Sequence, residues 1–388
     1  MQNPFKDIMR LFQGGGGSAL GIDFGSSAVK VVQLRKTHGH AVLETYGELA
    51  VGPYGNAEIG QSVRLSVARM SEALTDVLRE SKVSGRDCGV AIPISSSLVT
   101  TIEMPLVDDK QFAQMVPIEA RKYIPVPISE VALDWWVIPK ENGEVTYPLA
   151  GEATAGAPAG TPASEAGKDL KSGRLVDVLL AVIHNDAISN YQSLVKSAGL
   201  TSTFYEVEIF STLRASLSQE TKPVMILDMG AATTKLYIVD RGIVKSSHMV
   251  NRGSQDITMS ISRALNISVK EAELLKRNVG LDMASGRKDI YDIASATLSY
   301  ILSEANRVVF NYEKRTGQSL SRIILTGGGV LLKEFYGFAQ RFFETEAVMA
   351  DPFAKVESPA FLDNILKRAG PEFAVAIGLA LRKLQELP

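Results

Sequence analysis

The segment ALGIDFGSSAVKVVQLR, residues 19–35, reads as two β-strands joined by a turn of small and hydroxyl residues. Asp23 opens the turn and Lys30 closes it, so a carboxylate and an ammonium group flank a connection whose geometry requires neither charge. On its own, such a turn is compatible with many functions. Its interpretation depends on whether the pattern occurs elsewhere in the chain.

A second copy of the pattern begins 205 positions later. Residues 22–30 read IDFGSSAVK and residues 227–235 read LDMGAATTK, and both contain Asp-x-Gly, small or hydroxyl residues and a lysine at the same offset. Two ordinary hairpins that carry an aspartate in the turn are the alternative explanation. The repetition favours an internal duplication in which each copy begins a strand-rich unit.

The residue types in both turns suit a nucleoside triphosphate with its magnesium ion. Glycine lets the backbone approach a phosphate closely, and backbone N–H groups and hydroxyls donate to its oxygens. An aspartate would repel phosphate, but Mg²⁺ keeps most of its waters and is held by one or two carboxylates together with phosphate oxygens. We therefore predict that Asp23 and Asp228 hold magnesium through water. The predicted phosphate-binding residues are Gly25, Ser26, Ser27, Lys30, Gly230, Thr233 and Thr234.

A third glycine-rich element is LTGGG, residues 325–329. A buried strand that ends in three glycines before a helix lets the backbone lie flat against a flat ligand. By itself this segment does not specify a ligand, but it follows the two predicted phosphate-binding turns along the chain. It predicts an adenosine site at Gly327, Gly328 and Gly329.

Composition limits the class of protein. The chain has 388 residues, so two or more domains are expected, and its net charge of −2 argues against a dedicated nucleic-acid binder. A single cysteine, Cys88, excludes an intramolecular disulfide and favours a reducing compartment. No run of 18 or more apolar residues and no secretory signal is visible in the sequence.

Two segments stand apart from the rest of the chain. Residues 3–13 read as an amphipathic helix, and GGGGS at 14–18 reads as a flexible tether. The helix could contact a membrane surface through residues 4–13, dock on a partner protein, or pack on its own domain. Residues 150–173 are rich in alanine and glycine and are predicted to be a flexible insertion between two strands.

The remaining pattern is α/β. The predicted strands are 20–24, 28–35, 41–49, 88–93, 97–105, 131–139, 176–183, 203–207, a second set within 223–250, and one that begins at 321. The predicted helices are 59–81, 108–125 with a kink or break at Pro117, 185–198, 208–218, 253–265, 268–279, 289–316 and 371–387.

This order of motifs resembles the superfamily of actin, Hsp70 and the sugar kinases. The resemblance implies an actin-like α/β fold, a duplicated ribonuclease H-like two-domain ATPase with nucleotide in the cleft. The segments YEVEIFS (205–211) and AVAIGLAL (374–381) fall where that superfamily has two connecting helices. Their small residues would let the helices cross closely at the hinge.

Within the superfamily, IEARKYIPVPISEVALDWWVI at 118–138 is similar to a segment of the PilM family of type IV pilus assembly proteins. The region 98–200 fits the FtsA/PilM branch, in which an inserted SHS2-like subdomain called 1C occupies that place. The implied division is a helix and linker at 1–18, subdomain 1A at 19–97, 201–221 and 366–388, 1C at 98–200, 2A at 222–252 and 317–365, and 2B at 253–316.

The resemblance also implies roles for three further residues. Glu208 matches the acid of the first connecting helix, which orients the water of the metal or the attacking water in relatives, so it is a tentative catalytic residue. Within KEAELLKR at 270–277, Glu273 matches the ribose-binding acid and Lys276 the residue that lies against adenine. A solvated Glu/Lys helix face is the alternative for these two.

The function implied is that of an ATP- and Mg²⁺-binding cytoplasmic scaffold, peripheral to the inner membrane, that hydrolyses ATP slowly at most. Its implied partners are the N-terminal cytoplasmic peptide of PilN, in a groove between 1A and 1C, and the pilus motor and inner-membrane platform proteins. A homo-oligomer or ring is compatible with this role, which serves twitching motility.

Three alternatives stay open at this point. One is an FtsA-like membrane-associated filament protein, which is expected to carry a C-terminal membrane helix that the polar ending LRKLQELP does not resemble. The second is a small-molecule kinase of the same superfamily, which would need an aspartate base facing a polar substrate pocket. The third, a GspL-like secretion component, is expected to carry a transmembrane segment.

Overall fold

The computed structural model describes residues 17–138, 175–218 and 220–387. The predicted helix at 3–13, most of the tether and the insertion at 150–173 lie outside the described residues. The strands of the described chain are Ser18–Phe24 (β1), Ala28–Thr37 (β2), His40–Ala50 (β3), Asp87–Ile92 (β4), Ser97–Pro105 (β5), Val131–Ile138 (β6), Leu175–His184 (β7), Thr201–Val207 (β8), Val224–Met229 (β9), Thr234–Asp240 (β10), Ile243–Val250 (β11), Arg322–Thr326 (β12) and Ala347–Met349 (β13).

The α-helices alternate with these strands in two parts of the chain. They are Val67–Glu80 (α1), Asp109–Ala120 (α2), Asn185–Ser197 (α3), Glu208–Ser216 (α4), Ser254–Leu265 (α5), Val269–Val279 (α6), Lys288–Thr316 (α7), Phe335–Phe342 (α8), Asp363–Ala369 (α9) and Ala374–Glu386 (α10). None of the helices in the described ranges is long and apolar enough to cross a membrane.

Two five-stranded sheets share one topology. Their strand orders are β3-β2-β1-β4-β8 and β11-β10-β9-β12-β13. In each sheet three consecutive strands pair antiparallel. A later strand then pairs parallel with the first of these three, and a fifth strand pairs parallel with that later strand. The duplication predicted from the two Asp-x-Gly turns is therefore present in the strand order as well.

Helices α4 and α10 cross closely next to the first sheet. Gly378 of α10 lies so near α4 that a Cβ atom there would collide with the carbonyl oxygen of Ser211. On the other side of α10, a Cβ atom at Gly21 of β1 would collide with the carbonyl oxygen of Ala376. The small residues predicted at the crossing thus allow backbone contact on both sides of α10.

A third sheet, in the order β5-β7-β6, is antiparallel and has two buried faces. One face packs on α2 through residues such as Val178 and Phe112. The other face contributes Val99 and Leu179 to a core that also contains Tyr237 of β10. The third sheet therefore shares a core with the second five-stranded sheet, while the predicted subdomain boundaries stay a prediction.

Two predicted helices differ from the observed ones. The helix predicted at 59–81 begins only at Val67, because the Ser66 hydroxyl caps it by accepting from the N–H of Arg69. The helix predicted at 108–125 begins as expected after the Asp108 cap but ends at Ala120, and Pro117 lies inside one continuous helix. Helically spaced apolar residues lie on both sides of Ser66, so the sequence pattern did not reveal that Ser66 caps a helix.

Candidate functional site

The two Asp-x-Gly turns have the same geometry. Asp23 pairs directly with Lys30 across β1 and β2, and Asp228 pairs with Lys235 across β9 and β10. Within each turn the glycine N–H donates to the carbonyl oxygen three residues later, from Gly25 to Ala28 and from Gly230 to Thr233, at 2.9 Å in both cases. The two turns are thus equivalent hairpins whose aspartate and lysine stand opposite each other.

The carboxylates of both turns lie in one electrostatic cluster. Burial, more than any neighbouring charge, raises the pKa of Asp23 from 3.8 to about 6, and the Glu208 and Asp228 charges add to this effect. Lys30 opposes it but lies 3.3 Å from Glu48, with which it forms an ion pair. A cation placed near Asp23 would relieve this repulsion, so the donor set fits a hydrated Mg²⁺ held by Asp23 and Asp228.

The ammonium group of Lys235 lies between the carboxylates of Glu208 and Asp228. Its Nζ lies 2.7 Å from Oε2 of Glu208 and 3.4 Å from Oδ2 of Asp228. Burial alone would lower the pKa of Lys235, but the Asp228 and Glu208 carboxylates outweigh burial and raise this pKa well above its ordinary value. The ammonium group is therefore charged and held between two carboxylates.

Glu208, the tentative catalytic acid, is fully engaged. Its second oxygen, Oε1, accepts the backbone N–H of Ile94 at 2.9 Å. Both carboxylate oxygens thus have partners, one from β10 and one from the segment that leads into β5. In this arrangement Glu208 connects two parts of the fold and does not present a free oxygen to a water molecule.

The hydroxyl residues of the turns differ in availability. Ser26 is exposed and Ser27 and Thr233 are half-buried, so burial does not prevent these three from contacting a ligand. The Thr234 side chain is fully buried, and its hydroxyl donates to the carbonyl oxygen of Arg252 at 2.9 Å. Thr234 therefore supports the turn from behind, which sequence spacing could not distinguish from phosphate contact.

The predicted adenosine motif packs directly on the second turn. Gly327 has a φ of +87°, and a Cβ atom there would lie 2.5 Å from Oδ1 of Asp228. Its N–H donates to the carbonyl oxygen of Pro371 at 2.9 Å, and the Thr326 hydroxyl donates to the same oxygen at 2.9 Å. Only glycine suits this position, because both the backbone conformation and the close approach exclude a side chain.

Glu273 and Lys276 of α6 are buried, which argues against a solvated helix face. The Glu273 carboxylate accepts from the Lys276 ammonium, the Arg277 guanidinium and the Thr258 hydroxyl, each at 2.7 Å. Two buried charges stabilised in this way form a rigid polar patch. Their roles toward ribose and adenine stay predictions.

Residues 52–66 form a strap that sequence reasoning assigned in part to a helix. Its base is attached to the first Asp-x-Gly turn, since the Val63 N–H donates to the carbonyl oxygen of Ser26 at 2.9 Å. Its tip reaches helix α6, where Glu58 Oε2 accepts the N–H of Lys270 at 2.5 Å. The strap therefore bridges the first turn and helix α6.

The strap also approaches Glu273, the predicted ribose-binding acid. Gly60 has a φ of +94°, and a Cβ atom there would lie 2.7 Å from Oε2 of Glu273. Ser62 donates its N–H to the Gln255 side chain on α5. A cavity of about 160 Å³ opens beside this contact and is lined by Ile59, Lys270, Glu273, Leu274 and Arg277.

Glu372 is a further carboxyl group of this region, and the sequence analysis did not identify it. Burial and the adjacent Glu48 carboxylate raise the pKa of Glu372 to about 7. It follows the Pro371 carbonyl that anchors Gly327, and no motif marks it. Lys235, by contrast, is visible in the repeated motif, at the same offset from Asp228 as Lys30 has from Asp23, but only Lys30 was predicted to bind phosphate.

Within the described ranges, no group of three or more His, Cys, Asp or Glu side chains is arranged to hold a metal ion by itself. Asp228 and Glu208 are still close enough to Asp23 for their charges to raise its pKa. Such a site suits an ion that brings its own water and phosphate ligands.

Comparison with known proteins identifies relatives over nearly the whole chain. The family described as type IV pilus assembly protein PilM matches residues 21–147 and 165–384. A solved PilM-PilN type IV pilus biogenesis complex contains a chain that is 24% identical, with 94% of this chain and 98% of that chain covered and a TM-score of 0.74. The ethanolamine utilization protein EutJ from Carboxydothermus hydrogenoformans is 13% identical, with coverage of 94% and 89% and a TM-score of 0.52.

A curated relative matches half of the chain. The cell division protein FtsA of Neisseria meningitidis serogroup B is 24% identical over 216 residues, which cover 50% of this chain and 51% of FtsA. The chain spans about half the length of the curated relatives it matches. The structural likenesses, together with the duplicated sheets, confirm the predicted actin-like fold.

Proposed function

The chain belongs to the PilM family of type IV pilus assembly proteins, and from this membership we propose that it is an ATP-binding scaffold of the type IV pilus assembly machinery. The observation that carries the nucleotide part is the pair of equivalent turns, in which Asp23 and Asp228 stand opposite Lys30 and Lys235. A duplicated clamp of this kind suits a phosphate chain approached from two sides.

Each part of the cleft has a proposed task toward Mg-ATP. Asp23 and Asp228 hold the waters of the magnesium ion, which neutralises phosphate charge when it is bound. The glycines, hydroxyls and N–H groups of the two turns hold the phosphates, with Lys30 as a cation. The glycines at 327–329 lie against adenosine, and Glu273 and Lys276 orient its ribose and base.

Hydrolysis is proposed to be slow. In-line attack on a phosphoryl group needs a positioned water molecule, and Glu208 has both oxygens occupied by Lys235 and the Ile94 N–H. We expect turnover below about one per second, the low end of typical enzyme rates. The cleft then serves as a nucleotide-dependent holding site.

The proposed partner is the N-terminal cytoplasmic peptide of PilN. A relative with the same fold was solved in a PilM-PilN complex, and capture of a short segment in a preformed groove is a common recognition mode. We propose that the groove lies between subdomains 1A and 1C. We propose also that the protein lies at the cytoplasmic face of the inner membrane, between the platform proteins and the motor, where a homo-oligomer or ring is compatible with its role. Deleting residues 1–17 is expected to reduce liposome binding if 4–13 contribute to this position.

Calorimetry tests the proposal with two ligands. Mg-ATP should bind the wild-type protein and bind Asp23→Ala and Asp228→Ala much more weakly. A synthetic peptide of the PilN cytoplasmic N-terminus, taken from the neighbouring gene, should bind the wild type with an affinity that ATP changes. Absence of ATP binding would refute the nucleotide part, and absence of peptide binding would refute the partner.

A further inference from the structure

We propose that Lys235 is a second phosphate-binding lysine of the cleft, and that its transfer from Glu208 to phosphate transmits the nucleotide state to the third sheet. The inference rests on the proposed function, because it requires nucleotide between the two turns. It adds a residue to the binding site and specifies the contact through which the cleft acts on the third sheet.

The first argument is the symmetry of the turns. Lys235 stands opposite Asp228 in the strand register, as Lys30 stands opposite Asp23. The two hairpins also share the same internal hydrogen bond. A phosphate chain clamped between equivalent turns therefore has one lysine available from each side.

The second argument is the competition for Lys235. In the structure its ammonium group lies between Glu208 and Asp228. A magnesium ion held by Asp228 would repel the ammonium, while phosphate oxygens offer several negative charges in place of the single charge of Glu208. Both effects favour movement of Lys235 from the carboxylates toward phosphate.

The third argument is the position of Glu208. Its other oxygen accepts the Ile94 N–H at 2.9 Å, and Ile94 begins the short connection into β5 of the third sheet. Two residues after Glu208, the Phe210 ring packs edge-on against Trp136 of β6, with 5.8 Å between ring centroids. A change in the Glu208 carboxylate thus reaches the third sheet by two short routes.

A buried hydroxyl gives Glu208 an alternative partner. Tyr237 lies on the same face of β10 as Lys235, is 1% exposed, and its hydroxyl has no hydrogen-bond partner among the described residues. Burial, followed by the nearby Glu208 charge, raises the pKa of Tyr237 well above its ordinary value. We expect the Glu208 oxygen that Lys235 leaves to accept the Tyr237 hydroxyl, on the side that faces the third sheet. Both oxygens of Glu208 then stay engaged when nucleotide is bound, and hydrolysis stays slow.

The chain contains its own reporter for this event. Its two tryptophans, Trp135 and Trp136, are both on β6, so intrinsic tryptophan fluorescence reports only on the third sheet. The experiment compares wild type, Lys235→Met and Lys245→Met, whose lysine lies on the neighbouring strand β11. Affinities for Mg-ATP and AMP are measured by calorimetry, and fluorescence is recorded at saturating ATP.

The expected results separate the variants. Lys235→Met should lose about 10- to 100-fold in ATP affinity, as for a lost hydrogen bond to a charged group, with little change for AMP, which lacks the outer phosphates. Wild type and Lys245→Met should show a fluorescence change on ATP binding, and Lys235→Met should show none. An unchanged ratio of ATP to AMP affinity, or an unchanged fluorescence response, overturns the inference.

Removing Lys235 leaves two buried carboxylates without their partner, which can prevent folding. The double variant Lys235→Met, Glu208→Gln removes both charges of the pair and is expected to show the same loss of ATP affinity and of the fluorescence response. If wild type binds no ATP, the proposed function itself fails. If wild type binds ATP and both Lys235 variants behave like wild type, only this inference fails.

Discussion

Asp23 illustrates how a residue proposed to bind a ligand can be unfavourable for the fold itself. Burial and the charges of Glu208 and Asp228 raise its pKa, and Lys30, its strand partner, is shared with Glu48. Binding of a cation there would compensate a repulsion that folding alone leaves in place.

This repulsion predicts a stabilising substitution. The pKa of Asp23 is raised from 3.8 to about 6, so the folded state holds this proton more tightly than the unfolded state, and the contribution of Asp23 to stability falls as pH rises from about 4 through 6. Asp23→Asn should therefore raise the unfolding free energy of the nucleotide-free protein at pH 7.5, by up to about 3 kcal/mol. Urea unfolding measures the difference.

The same experiment at pH 4 provides an internal control. At pH 4 Asp23 is protonated in the folded state and close to half protonated in the unfolded state, so the gain from Asp23→Asn should shrink to about 0.5 kcal/mol. Mg-ATP binding at pH 7.5 should weaken in the same variant, as expected where function requires a strained site. A variant that is less stable than wild type at pH 7.5 would contradict the assigned direction of the pKa shift.

At the residue scale, the sequence revealed groups that belong to a local motif. The Asp-x-Gly turns were visible because all their residues lie within nine positions of one another. The engagement of Glu208 by Lys235 and Ile94 was not visible, because it joins residues 27 and 114 positions apart. Such pairings depend on how the sheets pack, which a single sequence does not specify.

The strap is the element whose prediction failed most clearly. Ile59 and Val63 fit a helical apolar spacing with α1, but both belong to a segment bonded to the first turn and to α6. Glycines at 52, 55 and 60 were the signal against a helix there. Long-range hydrogen bonds outweighed the local periodicity.

The contact of the strap tip with Glu273 predicts an effect on nucleotide exchange. In Gly60→Ala the new methyl group would lie 2.7 Å from the Glu273 carboxylate, so the tip should lift from α6 and open the cleft. Dissociation of a fluorescent ATP analogue, followed by stopped-flow chase, should become several-fold faster.

Gly39→Ala is the matched control for this substitution. Gly39 also has a positive φ, of +84°, but nothing lies within 4 Å of its Cβ position, so the two variants share a backbone strain of about 1 kcal/mol. Equal dissociation rates in the two variants would show that the strap does not limit exchange.

The crossing of α4 and α10 predicts a large difference between two identical substitutions. Gly378→Ala introduces a methyl group into the carbonyl of Ser211, and overpacking of this kind costs about 1–3 kcal/mol. The methyl group of Gly337→Ala on α8 meets only the ends of the Arg341 and Glu334 side chains, at 3.5 and 3.9 Å. This substitution should stabilise by up to about 1 kcal/mol, because alanine favours helix. Thermal unfolding compares them, and equal midpoints would contradict the close crossing.

At the scale of the whole molecule, the duplicated sheets were predictable and the position of the third sheet was not. The duplication is visible in the sequence as two turns with the same spacing. The shared core of Val99 and Leu179 with Tyr237 arises from surfaces that are distant in sequence. The nearly continuous apolar run on β7 indicated burial of both faces but did not identify what covers each face.

This shared core predicts that the third sheet does not unfold independently. Tryptophan fluorescence, which reports on β6, and far-UV circular dichroism, which reports on all elements, should give coincident thermal transitions. Mg-ATP should raise the midpoints of both transitions by linkage.

Leu179→Asp, which buries a charge in the shared core, should lower both midpoints together. Leu175→Asp on the same strand, at a position 46% exposed, should leave them unchanged. A tryptophan transition that precedes the global one and ignores ATP would mean that the third sheet is an independent unit, and the coupling through Glu208 would then have no rigid element on which to act.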